Sequence, residues 1–125
     1  MHGYAIQRSV RQSPRKMRLV IDLIRGKNVN EAYAILQFNK KLAAKQIAKT
    51  LKSAVANAEQ AAERENEAFD VDQLVVVDAQ VDMGTPLKRH HAAAQGRATP
   101  IIKRTSHVKI AVAEKPVAKK KKGAK

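Results

Sequence analysis

From Met83 to Ala113 the chain contains no aspartate or glutamate, while Lys88, Arg89, Arg97, Lys103, Arg104 and Lys109 are spread through it with His90, His91 and His107 between them. A soluble surface normally mixes both signs of charge. A long stretch with only one sign therefore points to a polyanionic partner, most simply the phosphates of a nucleic acid. It also restricts the fold. Gly84 and Pro86 punctuate one end of GTPLKRHHAAAQGRATP, Gly96 and Pro100 the other, and the strand-like segments on either side make it the connection between two strands. It is too long for a tight two-residue turn. As the two arms of a hairpin, each with about seven or eight residues, it would extend ~25 Å beyond the domain. An apolar hairpin of that length would expose an aggregation-prone edge, whereas a basic one stays soluble and can be ordered by RNA.

The flanking sequence supplies a small α+β domain. Tyr4 to Val10 reads as a strand with Tyr4, Ile6 and Val10 on one parity. A helix follows, with Ser13 as its cap, Pro14 at its first position and Gly26 at its end, and with Met17, Val20, Ile21 and Ile24 on one stripe. Asn28 is placed to cap a short second helix from Val29 to about Gln37, with Ala32, Ile35 and Leu36 inward. The third and longest helix runs from about Lys41 to Arg64. Its alanine-rich stripe of Ala44, Ile47, Leu51, Ala54, Val55 and Ala58 suits close packing on a sheet, and Lys41, Lys45, Lys49 and Lys52 form a separate row that reads equally as a solvated face or as nucleic-acid contacts ranked after the arginines. LVVVDAQVDM is a half-buried strand with Val75, Val77, Ala79, Val81 and Met83 on one parity. Ile101 to Ala113 is another, presenting Ile102, Ser106, Val108, Ile110 and Val112 to the core and Lys103, Thr105, His107 and Lys109 to a partner.

Charge is distributed unevenly. Lys and Arg number 25 against 11 Asp and Glu, a formal net charge of +14 over 125 residues. The window from Glu59 to Asp82 reverses the sign, with Arg64 its one basic residue, so that part should face away from phosphate. With no cysteine, disulfides and cysteine-bearing zinc sites are excluded. The N-terminus lacks an apolar signal region and no stretch approaches the ~18–20 apolar residues of a bilayer span, so the expectation is an intracellular protein with no membrane partner.

Catalysis finds no support. His90 and His91 are adjacent and would point to opposite sides of a strand, which spoils a metal site, and Asp70 and Asp72 lack the glycine and distal glutamate of a calcium loop. No nucleophile, phosphate loop or pair of carboxylates converges, so neither a metal nor another cofactor is implied and a small hydrolase is disfavoured. The competing binding class is an architectural DNA-binding protein with a β-ribbon arm. Such proteins insert a large apolar wedge, and the tip from His90 to Gln95 has none.

SPRKMRLVIDLIRGK at 13 to 27, EAYAIL at 31 to 36, LKSAVANAE at 51 to 59, LKR at 87 to 89, GRA at 96 to 98 and KRTSHVKI at 103 to 110 together resemble the bacterial large-subunit ribosomal protein twenty-two family. The blocks occur in the family's order and spacing over about residues 4 to 114. The resemblance implies a three-stranded antiparallel sheet packed with three helices, plus a long protruding β-hairpin at about 83 to 104. It implies a monomer within the large subunit of the cytoplasmic ribosome, in contact with large-subunit rRNA, neighbouring ribosomal proteins and the nascent polypeptide in the exit tunnel. Family tips are usually close to KRFRPRAKGRA, whereas Lys88 to Ala98 reads KRHHAAAQGRA, a less cationic tip.

Arginine's planar fork binds phosphate bidentately and stacks on bases, so arginines lead the candidate RNA contacts. The set is Arg8, Arg11, Arg15, Lys16, Arg18, Arg25, Lys27, Lys88, Arg89, Arg97, Lys103 and Arg104. Thr105, Ser106 and His107 join them as hydrogen-bonding groups, and His90 and His91 as stacking or phosphate-binding rings. Residues 1 to 114 are expected to form one rRNA-binding domain, and 115 to 125, AEKPVAKKKKGAK without its first two residues, a disordered basic tail.

Overall fold

The computed structural model describes residues 2 to 114; the expected tail lies outside them. The elements run β1 (His2–Val10), α1 (Pro14–Ile21), α2 (Val29–Gln37), α3 (Leu42–Arg64), β2 (Leu74–Met83), β3 (Leu87–Ala92), β4 (Ala98–Lys103) and β5 (Ser106–Glu114). This is the α+β architecture expected. β5 lies between β1 and β2 in an antiparallel three-stranded sheet, and β3 and β4 pair separately as a two-stranded hairpin.

The helices fill one side of the sheet. α3 packs on β1 and β5, and α1 on β2. Met17, Val20, Ile21 and Ile24 of the α1 stripe are fully buried, as are Ile47, Leu51, Ala54 and Ala58 of α3. Small side chains let α3 come close to β1. An ideal Cβ built on Gly3 would lie 2.5 Å from the Ala58 nitrogen and 2.7 Å from the Ala54 carbonyl oxygen, so only glycine fits there.

Two strands change face partway along. The registry of β1 with β5 shifts between Gln7 and Val10, where Ser9 adopts a positive φ of 57°. Ala5 and Val10 are therefore buried while Tyr4 is 61% exposed, and the single parity of Tyr4, Ile6 and Val10 does not make a single face. The registry of β2 with β5 shifts between Val76 and Asp78. Leu74 and Val76 point inward before that bulge, Ala79 and Val81 after it, and Val77 and Met83 are exposed.

The expected strand from Ile101 to Ala113 is broken at Arg104 and Thr105, where the chain leaves the hairpin and enters the main sheet. Ser106, Val108, Ile110 and Val112 do face the core, but Ile102 is exposed on the hairpin and Thr105 is buried rather than outward. α1 is also shorter than the span to Gly26. After Ile21 the chain tightens through Leu23 N–H to Val20 O and Ile24 N–H to Ile21 O before Gly26 turns it at φ 80°. Asn28 caps α2, its side chain accepting from the Asn30 N–H at 2.9 Å. Ser13 sits at the N-cap of α1 in extended conformation, yet its side chain makes no capping bond.

Candidate nucleic-acid interface

The arm is built from six cross-strand pairs, from Leu87 with Lys103 at its root to Ala92 with Ala98 near its tip. Each arm is six residues, so the paired part spans ~20 Å. That is less than the ~25 Å expected, because a short 3-10 turn at Ala94–Gly96 takes up tip residues. Gln95 and Gly96 have positive φ of 60° and 73° and close that turn. His90 pairs with Pro100 and His91 with Thr99, which puts the two rings on opposite faces of the hairpin. Lys88, Arg89, His90, His91, Arg97, Lys103 and Arg104 are all exposed.

The root is fixed by groups expected from the sequence to contact RNA. Thr105 is 4% exposed and its hydroxyl donates to the Thr85 carbonyl at 2.8 Å. Ser106 is fully buried and its hydroxyl donates to the Gln12 carbonyl at 2.5 Å. His107 Nδ1 accepts from the Ser9 N–H at 3.0 Å, across the β1 bulge. The assignment of Thr105 and Ser106 to RNA is thus revised: both hydroxyls are buried and used to hold the arm and the β1–α1 link together. The Gly84 N–H donates to the Thr105 carbonyl at 2.9 Å, the last ladder bond between the main sheet and the arm.

Those bonds create a cleft of about 580 Å³ between the β1–α1 link and the hairpin root. Arg11, Gln12, Ser13 and Lys16 line one wall; Ile102, Lys103 and Arg104 line the other. Four of the expected cations thus converge from segments about ninety residues apart in sequence. Among the described residues none of the four pairs with a carboxylate. Unopposed cations around a concave surface focus positive potential.

Other expected contacts divide between surface and scaffold. Arg8, Arg15 and Lys27 are exposed. Arg18 donates from Nε and Nη2 to the Val81 carbonyl, and Arg25 from Nε and Nη2 to the Ala79 carbonyl at 3.1 and 2.6 Å. Arg25 also forms an ion pair with Asp22 at 2.6 Å. These two arginines hold α1 and the turn after it against the edge strand β2, a role that their positions off the apolar stripe did not signal. Gln12 was missed as well. Its polarity inside a basic segment was the only cue.

The lysine row of α3 lines a second, larger groove of about 850 Å³, floored by Tyr33, Leu36 and Ala44. Burial of Tyr33 raises its phenol above the usual value of 10.0. Among the described residues no helix is long and apolar enough to cross a membrane.

Residues 5–113 match the family model described as Ribosomal protein L22p/L17e. The chain is 51% identical over 115 residues to the Large ribosomal subunit protein uL22 of Clostridium novyi, covering 92% of this chain and 99% of that one. It is 50% identical to the protein of the same name from Oceanobacillus iheyensis, over 92% of this chain and 97% of the relative. The Desulfitobacterium hafniense counterpart is 54% identical over 111 residues, 89% of this chain and 93% of its own. A matched stretch that takes in both walls of the root cleft and the whole arm, together with relatives aligned over nearly their full length, places the chain in the ribosomal protein L22p/L17e family.

Proposed function

We propose that this protein is a structural constituent of the large ribosomal subunit that binds large-subunit rRNA through its hairpin and root cleft. In this reading it assists rRNA assembly and lines the nascent-polypeptide exit tunnel with the arm. It works as a monomer among neighbouring ribosomal proteins, in the ribosome of the bacterial cytoplasm, and performs no catalysis. The observation that carries the proposal is a cleft of four cations, without a carboxylate partner among the described residues, at the foot of an acid-free, protruding hairpin, in a chain of a ribosomal family.

Phosphates would be held at Arg11, Lys16, Lys103 and Arg104, with Arg8, Arg15, Lys27, Lys88, Arg89 and Arg97 extending the track. Arg18 and Arg25 contribute the donors left over from their carbonyl bonds. His90 and His91, on opposite faces, would each meet a different surface, so one ring can stack on a base while the other faces the tunnel. Residues 1 to 114 act as one rRNA-binding unit in this account.

The test is sedimentation of the tagged protein from its own cells through sucrose gradients at low and then high salt, with crosslinked RNA sequenced. The expected result is co-migration with large subunits through the salt wash and large-subunit rRNA crosslinks at Lys88 to Arg104. Release at moderate salt without rRNA crosslinks, or migration with the nucleoid, would overturn it.

A further inference from the structure

Gln12 Oε1 is shielded from solvent and has no hydrogen-bond partner among the described residues. An orphaned buried acceptor costs about 1–3 kcal/mol, so its retention calls for an explanation. The residue is itself part of the wall of the root cleft. Its backbone is held at both ends: the N–H donates to the Val10 carbonyl at 2.8 Å and the C=O accepts from Ser106. Among the described residues no hydrogen bond fixes the side-chain amide, and the terminal torsion of glutamine is broad. A rotation there would turn Oε1 toward a ligand in the cleft without moving the main chain.

The cleft's chemistry narrows the ligand. Arg11, Lys16, Lys103 and Arg104 supply donors and positive charge, which suit phosphate oxygens. Gln12 Oε1 can only accept. Phosphate diesters and ring oxygens only accept too, so within the repeating backbone of a nucleic acid the one group able to satisfy Gln12 is the ribose 2′-hydroxyl, which DNA lacks. We infer that the root cleft holds one ribonucleotide of the bound RNA, its phosphate among the four cations and its 2′-hydroxyl donating to Gln12 Oε1. The inference rests on the RNA-binding reading above and adds to it a sugar-specific, base-independent contact.

The test is a double-mutant cycle on the rRNA segment that crosslinks to Lys103 or Arg104, synthesised as RNA and with single 2′-deoxy substitutions. At one position the deoxy substitution should weaken binding to the wild-type protein about fivefold and cost nothing further with Gln12→Leu, while the salt slope stays unchanged. In the wild-type protein the Gln12 side-chain amide NMR signals should shift on adding the RNA and return toward their free positions with that deoxy variant. No position coupled to Gln12, or amide signals indifferent to the deoxy substitution, would overturn the inference while salt-dependent RNA binding persists. Absence of any rRNA crosslink at the arm would overturn both readings. The NMR arm keeps the test decisive should Gln12→Leu fold poorly.

Discussion

Arg18 and Val81 lie 63 residues apart in sequence and meet through two hydrogen bonds to one carbonyl oxygen, from Nε at 3.1 Å and Nη2 at 2.9 Å. β2 is an edge strand, and an edge carries carbonyls with no ladder partner. Arg25, in the turn that follows α1, treats the Ala79 carbonyl the same way, so α1 and that turn seal the edge at two residues of the same parity. Replacing either arginine with leucine should lower stability by about 1 kcal/mol in urea unfolding. Lysine should restore less than half, since an ammonium cannot reproduce the planar fork.

Gly3 tests the closeness of β1 to α3. A methyl group there meets backbone atoms of Ala54 and Ala58 rather than a flexible side chain. Gly3→Ala should therefore destabilise by about 1–3 kcal/mol, with the loss seen as a lower denaturant midpoint at unchanged slope.

Thr105→Val keeps the shape of the root and deletes the hydroxyl that reaches Thr85. The expected cost is about 1 kcal/mol. Hydrogen exchange should quicken in the arm, at the amides of β3 and β4, more than in β5. Equal acceleration throughout would mean that the hydroxyl serves the main sheet instead.

Tyr33 gives a pH dependence with a defined sign. Its phenol is raised above 10.0 by burial, so as pH climbs through that value the unfolded chain loses the proton while the folded chain keeps it. Folding stability contributed by the partly buried phenol is present below pH 10.0 and falls above it. Tyr33→Phe should decline less steeply over that range in urea midpoints measured side by side.

Salt dependence checks the cleft directly. Arg104→Gln should lower the slope of log affinity against log salt by about 0.7–0.9, one phosphate contact, on any rRNA fragment that binds. A slope equal to wild type would place Arg104 away from phosphate.

Much of this fold was legible because its signals are local. The Ser13–Pro14 start, Asn28 at its cap and the alanine stripe of α3 each act within a turn or two, and α2 falls on Val29–Gln37 as expected. The bulges were not legible. Ser9 takes a positive φ without being glycine or asparagine, and Val77 is a strong strand former that sits at the shift in β2, so both strands kept an even alternation on paper while the chain changed face. The break before β5 carries neither proline nor glycine. It exists because Thr105 turns inward to reach Thr85, a partner 20 residues away that no local pattern announces. The same holds for the cleft: its cations were picked out singly, but their meeting around Gln12 depends on Ser106 reaching across 94 residues.

The arm belongs to a sheet of its own, and its register with the main sheet passes through the short stretch at Gly84 and Thr105. Seen mechanically, it is a lever about 20 Å long on a narrow pivot. Tilting the pivot by about 10° would sweep the tip through roughly 3–4 Å, about the rise of one residue along a strand. Aim, rather than length, is then what the buried hydroxyls at the root govern. A methyl at Gly84 or a missing hydroxyl at Thr105 would be felt most strongly at the Ala94–Gly96 turn, far from the site of the change, and would carry His90 and His91 with it.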